Sequence, residues 1–186
     1  MKRLAVFVSG NGSNFEAIAE GCKTGAIDAE VALCVCDKAG AYALQRAERY
    51  GIPTLVFNPK EFACKRDFER MIADRLDEER IDLVCLAGYM RIVGEELLER
   101  YGGKIVNIHP ALLPAFPGAH AIKDAFEYGV KVYGVTIHEV DATLDGGKII
   151  SQVAVPYEGD DIEELEAMIH KAEHKLYVET INKLIG

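Results

Sequence analysis

The sequence predicts an α/β fold in which helices cover both faces of one mostly parallel sheet, with an antiparallel hairpin near the C-terminal end. Over the first two thirds of the chain, short apolar runs alternate with segments of helical periodicity. The β-rich runs 131–140 and 147–155 then follow one another with only a short polar connection, which is typical of a hairpin. This order of elements indicates a single Rossmann-like domain over residues 1–186.

The first half of the chain carries the alternating part of the pattern. Strands are predicted where apolar and β-branched residues run together, at 4–8, 30–36, 52–57 and 82–86. Helices are predicted where apolar residues recur every three or four positions, at 15–22, 39–50 and 61–79, and Gly51 ends the second of them. Strands joined in this way by helices predict the parallel part of the sheet.

A buried strand is predicted at 105–109, because three of its five residues are β-branched. Asn107 and His109 are two positions apart, so their side chains point to the same side of this strand. Pro110 ends the strand and leaves His109 at its carboxyl end, where open α/β sheets bind ligands. The alternative is a purely structural role, in which both side chains bond to the following loop.

Three features favour a functional site over that alternative. The loop 110–118 holds three prolines, which makes it stiff enough to form one side of a site. Asp145 precedes two glycines in the connection between the hairpin strands. The glycine-rich segment after the first strand is the third feature. Helices at 120–128 and 160–184 complete the predicted elements.

The segment 9–14, Ser-Gly-Asn-Gly-Ser-Asn, lies between the first strand and the first helix. Backbone amides in the first turn of such a helix, together with the helix dipole, form an anion site. The spacing Gly-x-Gly-x-x-Phe lacks the third glycine of a dinucleotide fingerprint, although Asp37 follows the second strand at the expected distance. A single phosphate is therefore favoured over a dinucleotide, with a plain tight turn as the structural alternative.

A second ligand surface is predicted after the fourth strand. Residues 87–93, Ala-Gly-Tyr-Met-Arg-Ile-Val, leave the carboxyl end of that strand with several apolar side chains and one arginine. This mixture suits a flat heteroaromatic ligand with a polar edge. Packing of the loop on the next helix is the alternative.

Composition disfavours several classes of function. The net charge of −9 argues against general binding to nucleic acids or anionic membranes. No stretch reaches about 20 apolar residues, and the N-terminus is expected to be a strand and not a signal peptide. The five cysteines include no Cys-x-x-Cys pair, and Cys34 and Cys36 are expected to be buried, so we expect no metal site and a reducing, cytoplasmic location.

Four segments together resemble the folate-dependent formyltransferases. They are 9–14, already quoted, Leu-Ala-Gly-Tyr-Met-Arg-Ile at 86–92, Asn-Ile-His-Pro-Ala-Leu-Leu-Pro at 107–114 and Leu-Asp-Gly-Gly at 144–147. The resemblance covers nearly the whole chain and implies transfer of a formyl group from 10-formyltetrahydrofolate, as co-substrate, to the glycyl amine of glycinamide ribonucleotide in purine biosynthesis. It also implies a phosphate-binding half at about 1–100 and a folate-binding and catalytic half at about 85–186.

The resemblance assigns binding roles residue by residue. The ribotide would be bound by Gly12, Ser13, Asn14, Phe15, Glu16 and Glu173. The folate would be bound by Lys65, Met90, Arg91, Ile92, Val93, Asn107, Asp141 and Asp145. Two basic residues follow Cys64, so Arg66 is an alternative to Lys65 as the basic residue near the folate.

Asn107, His109 and Asp145 are the predicted catalytic residues. Attack of an amine on a formyl carbon creates a negative oxygen, which an amide donor such as Asn107 can stabilise. His109 is suited to deliver the proton that the departing folate nitrogen needs. A carboxylate at Asp145 is expected to raise the pKa of the His109 imidazole, and no metal is required. His120 and His138 are expected to be structural.

Three other classes of protein are kept as alternatives. Methionyl-tRNA formyltransferases share the His-Pro and Leu-Leu-Pro pattern, but they have an arginine–glycine pair where this chain has Pro117-Gly118, and they carry an additional C-terminal domain. Formyltetrahydrofolate hydrolases carry an additional N-terminal regulatory domain, and we expect this chain to have neither addition. A nucleotide-binding regulatory module would need the glycine-rich segment but not the three catalytic residues. A homodimer is left open.

Overall fold

The computed structural model describes residues 1–186 and places the strands in one seven-stranded sheet with six α-helices. The strands are β1 (Lys2–Val8), β2 (Ala29–Cys36), β3 (Thr54–Val56), β4 (Leu83–Leu86), β5 (Ile105–His109), β6 (Val132–Glu139) and β7 (Ile149–Pro156). The helices are α1 (Ser13–Thr24), α2 (Tyr42–Arg49), α3 (Lys65–Glu78), α4 (Glu95–Tyr101), α5 (Ala121–Tyr128) and α6 (Ile162–Ile185). No helix combines the length and the apolarity that crossing a membrane requires.

The strand order is β3-β2-β1-β4-β5-β6-β7. The pairs β1–β2, β2–β3, β1–β4 and β4–β5 are parallel, whereas β5–β6 and β6–β7 are antiparallel. The predicted fold class, with its antiparallel hairpin at the C-terminal end, is therefore confirmed. The chain builds the sheet outward from β1 in one direction and then resumes at β4 on the other side of β1. This reversal creates a crevice at the carboxyl ends of β1 and β4.

Alternation along β1 places apolar side chains on both faces of the sheet. Leu4, Val6 and Val8 pack with the helices α1, α2, α5 and α6 on one face. Ala5 and Phe7 pack with α3 and α4 on the other. The five side chains are 0% exposed, so the hydrophobic cores on the two faces fix the position of β1, and with it the segment that follows β1.

Three predicted elements are shorter in the structure. The second helix begins at Tyr42 and not at 39, because Ala41 donates to the Lys38 carbonyl at 3.1 Å in a turn. The third strand is confined to Thr54–Val56, since Pro53 has no N–H to donate to a ladder. The third helix begins at Lys65, after a separate 3₁₀ turn at Pro59–Glu61. The sequence pattern gave no bounds for α4.

The last helix, α6, packs across the sheet beside α1. The Tyr177 hydroxyl is fully buried and lies 2.9 Å from the Leu86 carbonyl oxygen of β4 and 3.3 Å from the Val106 carbonyl oxygen of β5. Asn182 accepts a hydrogen bond from the Asp28 N–H at 3.0 Å. These contacts fix α6 against the strands that end at the crevice.

Candidate active site

A cavity of about 630 Å³ opens at the carboxyl ends of β1, β4 and β5. Its lining comes from the glycine-rich segment 9–14, from residues 86–93, from the end of β5, from residues 140–145 of the hairpin connection, and from α6. This volume lies within the usual range for small-molecule sites. The two ligand surfaces predicted from the sequence therefore belong to one continuous space.

The N-terminus of α1 forms one end of the cavity. The Glu16 N–H donates to the Gly12 carbonyl at 2.9 Å, so the N–H groups of Ser13, Asn14 and Phe15 precede the first intrahelical bond and have no backbone or side-chain acceptor. Unpaired amides at the positive end of a helix dipole favour an anion. The helix start can therefore bind a phosphate through its backbone.

Two features of the structure require a glycine at position 12. Its φ of 80° lies in the left-handed region, and a Cβ there would lie 2.5 Å from the Ala43 Cβ of α2. Arg46, also on α2, donates to the Asn11 carbonyl at 2.9 Å and to the Asn11 side-chain oxygen at 2.8 Å. Helix α2 thus holds the glycine-rich segment in place.

Glu173 brings a buried carboxylate to the same end of the cavity. It is 5% exposed and accepts hydrogen bonds from Asn14 Nδ2 at 3.3 Å and from His170 Nδ1 at 3.0 Å. The hydrogen bond to Glu173 raises the pKa of His170, whereas burial lowers the pKa of the neighbouring His174. The side-chain oxygen of Asn14 is buried without a partner. This end of the cavity therefore combines helix amides with side chains that can bond a polar ligand.

His109 lies at the centre of the cavity and is 4% exposed. Its Nε2 is 2.8 Å from the Phe116 carbonyl oxygen, and its Nδ1 is 3.7 Å from Asp145 Oδ2. The same Asp145 oxygen accepts the Gly118 N–H at 2.8 Å. Phe116 and Asp145 have positive φ values of 50° and 51°, which is uncommon for residues other than glycine and typical of functional sites.

Asn107 is oriented by a histidine on the adjacent strand. Its Nδ2 lies 3.2 Å from His138 Nε2, and His138 Nδ1 lies 2.9 Å from the Glu139 carbonyl oxygen. A carbonyl can only accept, so His138 carries its proton on Nδ1 and its Nε2 accepts from the Asn107 amide. His138 therefore sets which way the Asn107 amide faces in the cavity.

Thr136 anchors the proline loop beneath His109. Its hydroxyl donates to the Ala111 carbonyl at 2.7 Å and accepts from the Leu113 N–H at 3.1 Å. Gln152 donates to the same hydroxyl at 3.0 Å and to the Leu113 carbonyl at 2.9 Å. Thr136 is 0% exposed and pairs with His109 across the β5–β6 ladder. Thr136 therefore fixes the position of the proline loop relative to His109.

The other end of the cavity is apolar and open. Met90, Ile92 and Leu144 are 66%, 58% and 61% exposed, although they are large hydrophobic side chains. Arg91 lies between them in the lining and donates to the buried Asp37 carboxylate at 2.8 Å. Exposed apolar side chains around one polar group are the expected surface for a flat ring ligand.

Most of the predicted site residues line this cavity. They are Gly12, Ser13, Asn14, Met90, Arg91, Ile92, Val93, Asn107, His109, Asp141, Asp145 and Glu173. Three others do not line it. Phe15 is 0% exposed in the core, Glu16 forms ion pairs with Arg46 and Arg49, and Lys65 begins α3 outside the lining. The alternative basic residue, Arg66, pairs with Glu96 at 3.3 Å on the surface.

Two histidines that the sequence did not single out for the site belong to the lining. His138, expected to be structural, contacts Asn107 directly. His170 was not considered, although its spacing of three residues from Glu173 places both on one face of a helix. His120 is exposed at the start of α5 and does not line the cavity. No group of three or more metal-ligating side chains is close enough to hold an ion.

Comparison with known proteins relates this geometry to a family. The phosphoribosylglycinamide formyltransferase of Bacillus subtilis (strain 168) is 51% identical over 100% of this chain and 96% of its own length. The human trifunctional purine biosynthetic protein adenosine-3 is 42% identical over 94% of this chain, which spans 17% of that longer protein. The crystal structure of glycinamide ribonucleotide transformylase 1 from Geobacillus kaustophilus superposes with a TM-score of 0.97 at 51% identity, covering 100% of both chains.

The family described as formyl transferase matches residues 2–181, which include every strand and nearly all of α6. The matched range also contains every residue of the cavity lining. The chain therefore belongs to the formyl transferase family.

Proposed function

We propose that this chain transfers the formyl group of 10-formyltetrahydrofolate to the glycyl amine of glycinamide ribonucleotide, a step of purine biosynthesis. One observation carries the proposal: a single cavity joins unpaired helix amides at one end to Asn107, His109 and Asp145 in the middle and to an apolar surface at the other. The order suits a phosphate, a reacting amine and a folate ring in a row. Identity of 51% to the Bacillus subtilis phosphoribosylglycinamide formyltransferase supports it.

Each substrate has a proposed half of the site. The phosphate of the ribotide would accept hydrogen bonds from the N–H groups of residues 13–15. The ribose of the ribotide would form a hydrogen bond with Glu173. The folate would lie on residues 90–93 and 141–145, with Met90 and Leu144 covering its ring. In this assignment the phosphate-binding half is about 1–100 and the folate-binding and catalytic half is about 85–186. Lys65 is not among the residues that line the cavity, so the lining gives no support to its predicted place beside the folate.

The reaction needs charge stabilisation and two proton transfers. The amine forms a bond to the formyl carbon, and the carbonyl electrons move to an oxyanion that an Asn107 N–H can bond. The folate nitrogen departs with the electrons of its bond to carbon once it has received a proton from His109. The new amide nitrogen then returns its surplus proton to His109. No step in this sequence calls for a metal.

Asp145 is proposed to stabilise the protonated imidazolium of His109 at 3.7 Å. Its carboxylate also bonds the Gly118 N–H, so it holds the proline loop against the hairpin connection. One carboxylate oxygen serves both contacts. A substitution that keeps an acceptor but removes the charge therefore separates the electrostatic role from the turn role.

Acceptor specificity, location and assembly complete the proposal. A net charge of −9 supports a small-molecule acceptor over a nucleic acid. Five cysteines that form no disulfide support a reducing, cytoplasmic location. A homodimer is the proposed assembly that equilibrium sedimentation would check.

The test is an acceptor competition. Purified protein and 10-formyltetrahydrofolate would be incubated with glycinamide ribonucleotide, with methionyl-tRNA and with water alone, and release of tetrahydrofolate would be followed. We expect formyl transfer to the ribotide only. Transfer to tRNA, or ribotide-independent hydrolysis at the same rate, would contradict the proposal. His109→Ala, as the matched control, should bind both ligands without turnover.

A further inference from the structure

His109 lies between two groups that can only accept hydrogen bonds. On the Nε2 side is the backbone carbonyl of Phe116, at 2.8 Å, and on the Nδ1 side is the carboxylate of Asp145, at 3.7 Å. A carbonyl oxygen has no hydrogen to give, so the short contact requires a hydrogen on Nε2. The Nδ1 contact is longer than a hydrogen bond, which leaves that nitrogen able to face a third group.

The Phe116 carbonyl is aimed at His109 by an uncommon backbone conformation. Its φ of 50° lies in the left-handed region, which a phenylalanine adopts only when its surroundings hold it there. The ring supplies the hold: it packs on the core cluster and meets the Tyr128 ring edge to face, with centroids 5.9 Å apart. Tyr128 is itself 81% exposed, so its ring has little other packing to make.

We infer that Phe116 is a positioning residue that holds the His109 hydrogen on Nε2, so that Nδ1 is the nitrogen that exchanges protons with the reactants. The inference rests on the proposed function for its kinetic consequence, whereas the tautomer itself follows from the contacts alone. In this inference, the Phe116–Tyr128 ring pair affects the reaction indirectly, through the orientation of the hydrogen on His109.

The proton balance fits this assignment. Protonated His109 gives the Nδ1 hydrogen to the folate nitrogen as that nitrogen's bond to carbon breaks, and the bonding electrons stay on the nitrogen. The imidazole that remains is neutral, carries its hydrogen on Nε2 and keeps the Phe116 bond. Its Nδ1 lone pair then accepts the proton from the new amide nitrogen. The ring need not rotate between the two transfers, because the Phe116 bond is unchanged throughout.

The experiment is nitrogen-15 NMR of the His109 ring in the full chain, which distinguishes a protonated from an unprotonated ring nitrogen. In the parent protein, we expect the neutral His109 ring to have a single tautomer, with its hydrogen on Nε2. Phe116→Ala removes the ring and should give a mixture of tautomers, with turnover number lowered about tenfold, a part of the general acid–base contribution, and KM within roughly twofold. Phe116→Tyr keeps the ring and should restore the single tautomer.

Tyr128→Ala provides the second test, since loss of an exposed side chain leaves the core intact. It should shift tautomer and turnover in the same direction as Phe116→Ala but less, with Tyr128→Phe as the unchanged control. The inference would be overturned if the neutral His109 ring of the parent carried its hydrogen on Nδ1. It would also be overturned if His109 kept a single Nε2 tautomer in both alanine variants. Mixed tautomers with parental turnover would refute the role of Nδ1. If the parent formylates no ribotide, the proposed function fails while the NMR result still decides the tautomer.

Discussion

The hydroxyl of Thr136 can be removed almost without a change of shape. In Thr136→Val a methyl group replaces an oxygen that is 0% exposed and takes part in three hydrogen bonds. The Ala111 carbonyl and the Leu113 N–H then lose this partner, and both residues are only 4% exposed. Gln152 is exposed and can bond to water instead.

The expected cost follows from these two orphaned backbone groups. A buried polar group without a partner costs about 1–3 kcal/mol, and the added methyl returns about 0.8 kcal/mol, so we expect a net loss of about 3 kcal/mol. For a chain of this length that corresponds to a fall of roughly 6–12 °C in melting temperature. Thr136→Ser keeps the hydroxyl and removes one methyl, so it should lose only about 1 kcal/mol.

Urea unfolding of the parent and both variants measures these differences, with equal m-values as the check that the denatured state is unchanged. Turnover should fall in Thr136→Val as well, because the loop that carries the Phe116 carbonyl loses two of the hydrogen bonds that anchor it. A Val variant as stable as the Ser variant would show that the loop does not depend on this hydroxyl, and the anchoring argument would then be wrong.

Three other predictions concern the helix-amide end and the middle of the site. Gly12→Ala should lose about 1–3 kcal/mol from its left-handed φ and its clash with Ala43. Ala43→Gly in the double mutant should recover only the part of the clash that the Ala43 Cβ makes, because the Ala43 Cα, 2.8 Å from the added Cβ, remains, and a thermal unfolding cycle measures this part. Asp145→Asn should fold normally and bind both ligands, but its turnover number should fall by about 10²–10⁴. A loss of folding stability in this variant would instead favour a structural role for Asp145 in the turn. Since Glu173 raises the pKa of His170, the stability advantage of the parent over His170→Asn should be full below about pH 6.5 and disappear as pH rises through the raised pKa, as measured by urea unfolding at several pH values.

The fold could be predicted because apolar periodicity reports burial directly. The run that became β1 alternates between two buried faces, and the β-branched run at β5 ends at a proline, so both strands were placed from local pattern alone. Helix α4 was expected after residues 87–93 but without bounds, because it has only seven residues, of which Leu97 and Tyr101 are buried. Two buried positions give too little periodicity to distinguish a short helix from a loop.

Site residues on strands could be predicted from the sequence, whereas site residues on helices were harder to predict. Asn107 and His109 follow from the two-residue period of one strand, which requires no knowledge of the rest of the chain. The position of His170 depends on how α6 packs against α1, which no local pattern encodes. Phe15 illustrates another limit, since its side chain is in the core while its backbone N–H is unpaired at the helix start. Sequence names a residue but not whether its backbone or its side chain meets a ligand.

The hydrogen bond between Asn14 and Glu173 joins residues that are 159 positions apart in the chain. During synthesis at about 5–20 residues per second, roughly 8 to 32 seconds pass between the appearance of one and the other. A nascent chain therefore presents the helix amides long before the carboxylate that completes that end of the cavity. Ligands that need both the helix amides and the Glu173 carboxylate bind only after α6 has packed, so they stabilise the finished protein and not its precursors on the ribosome.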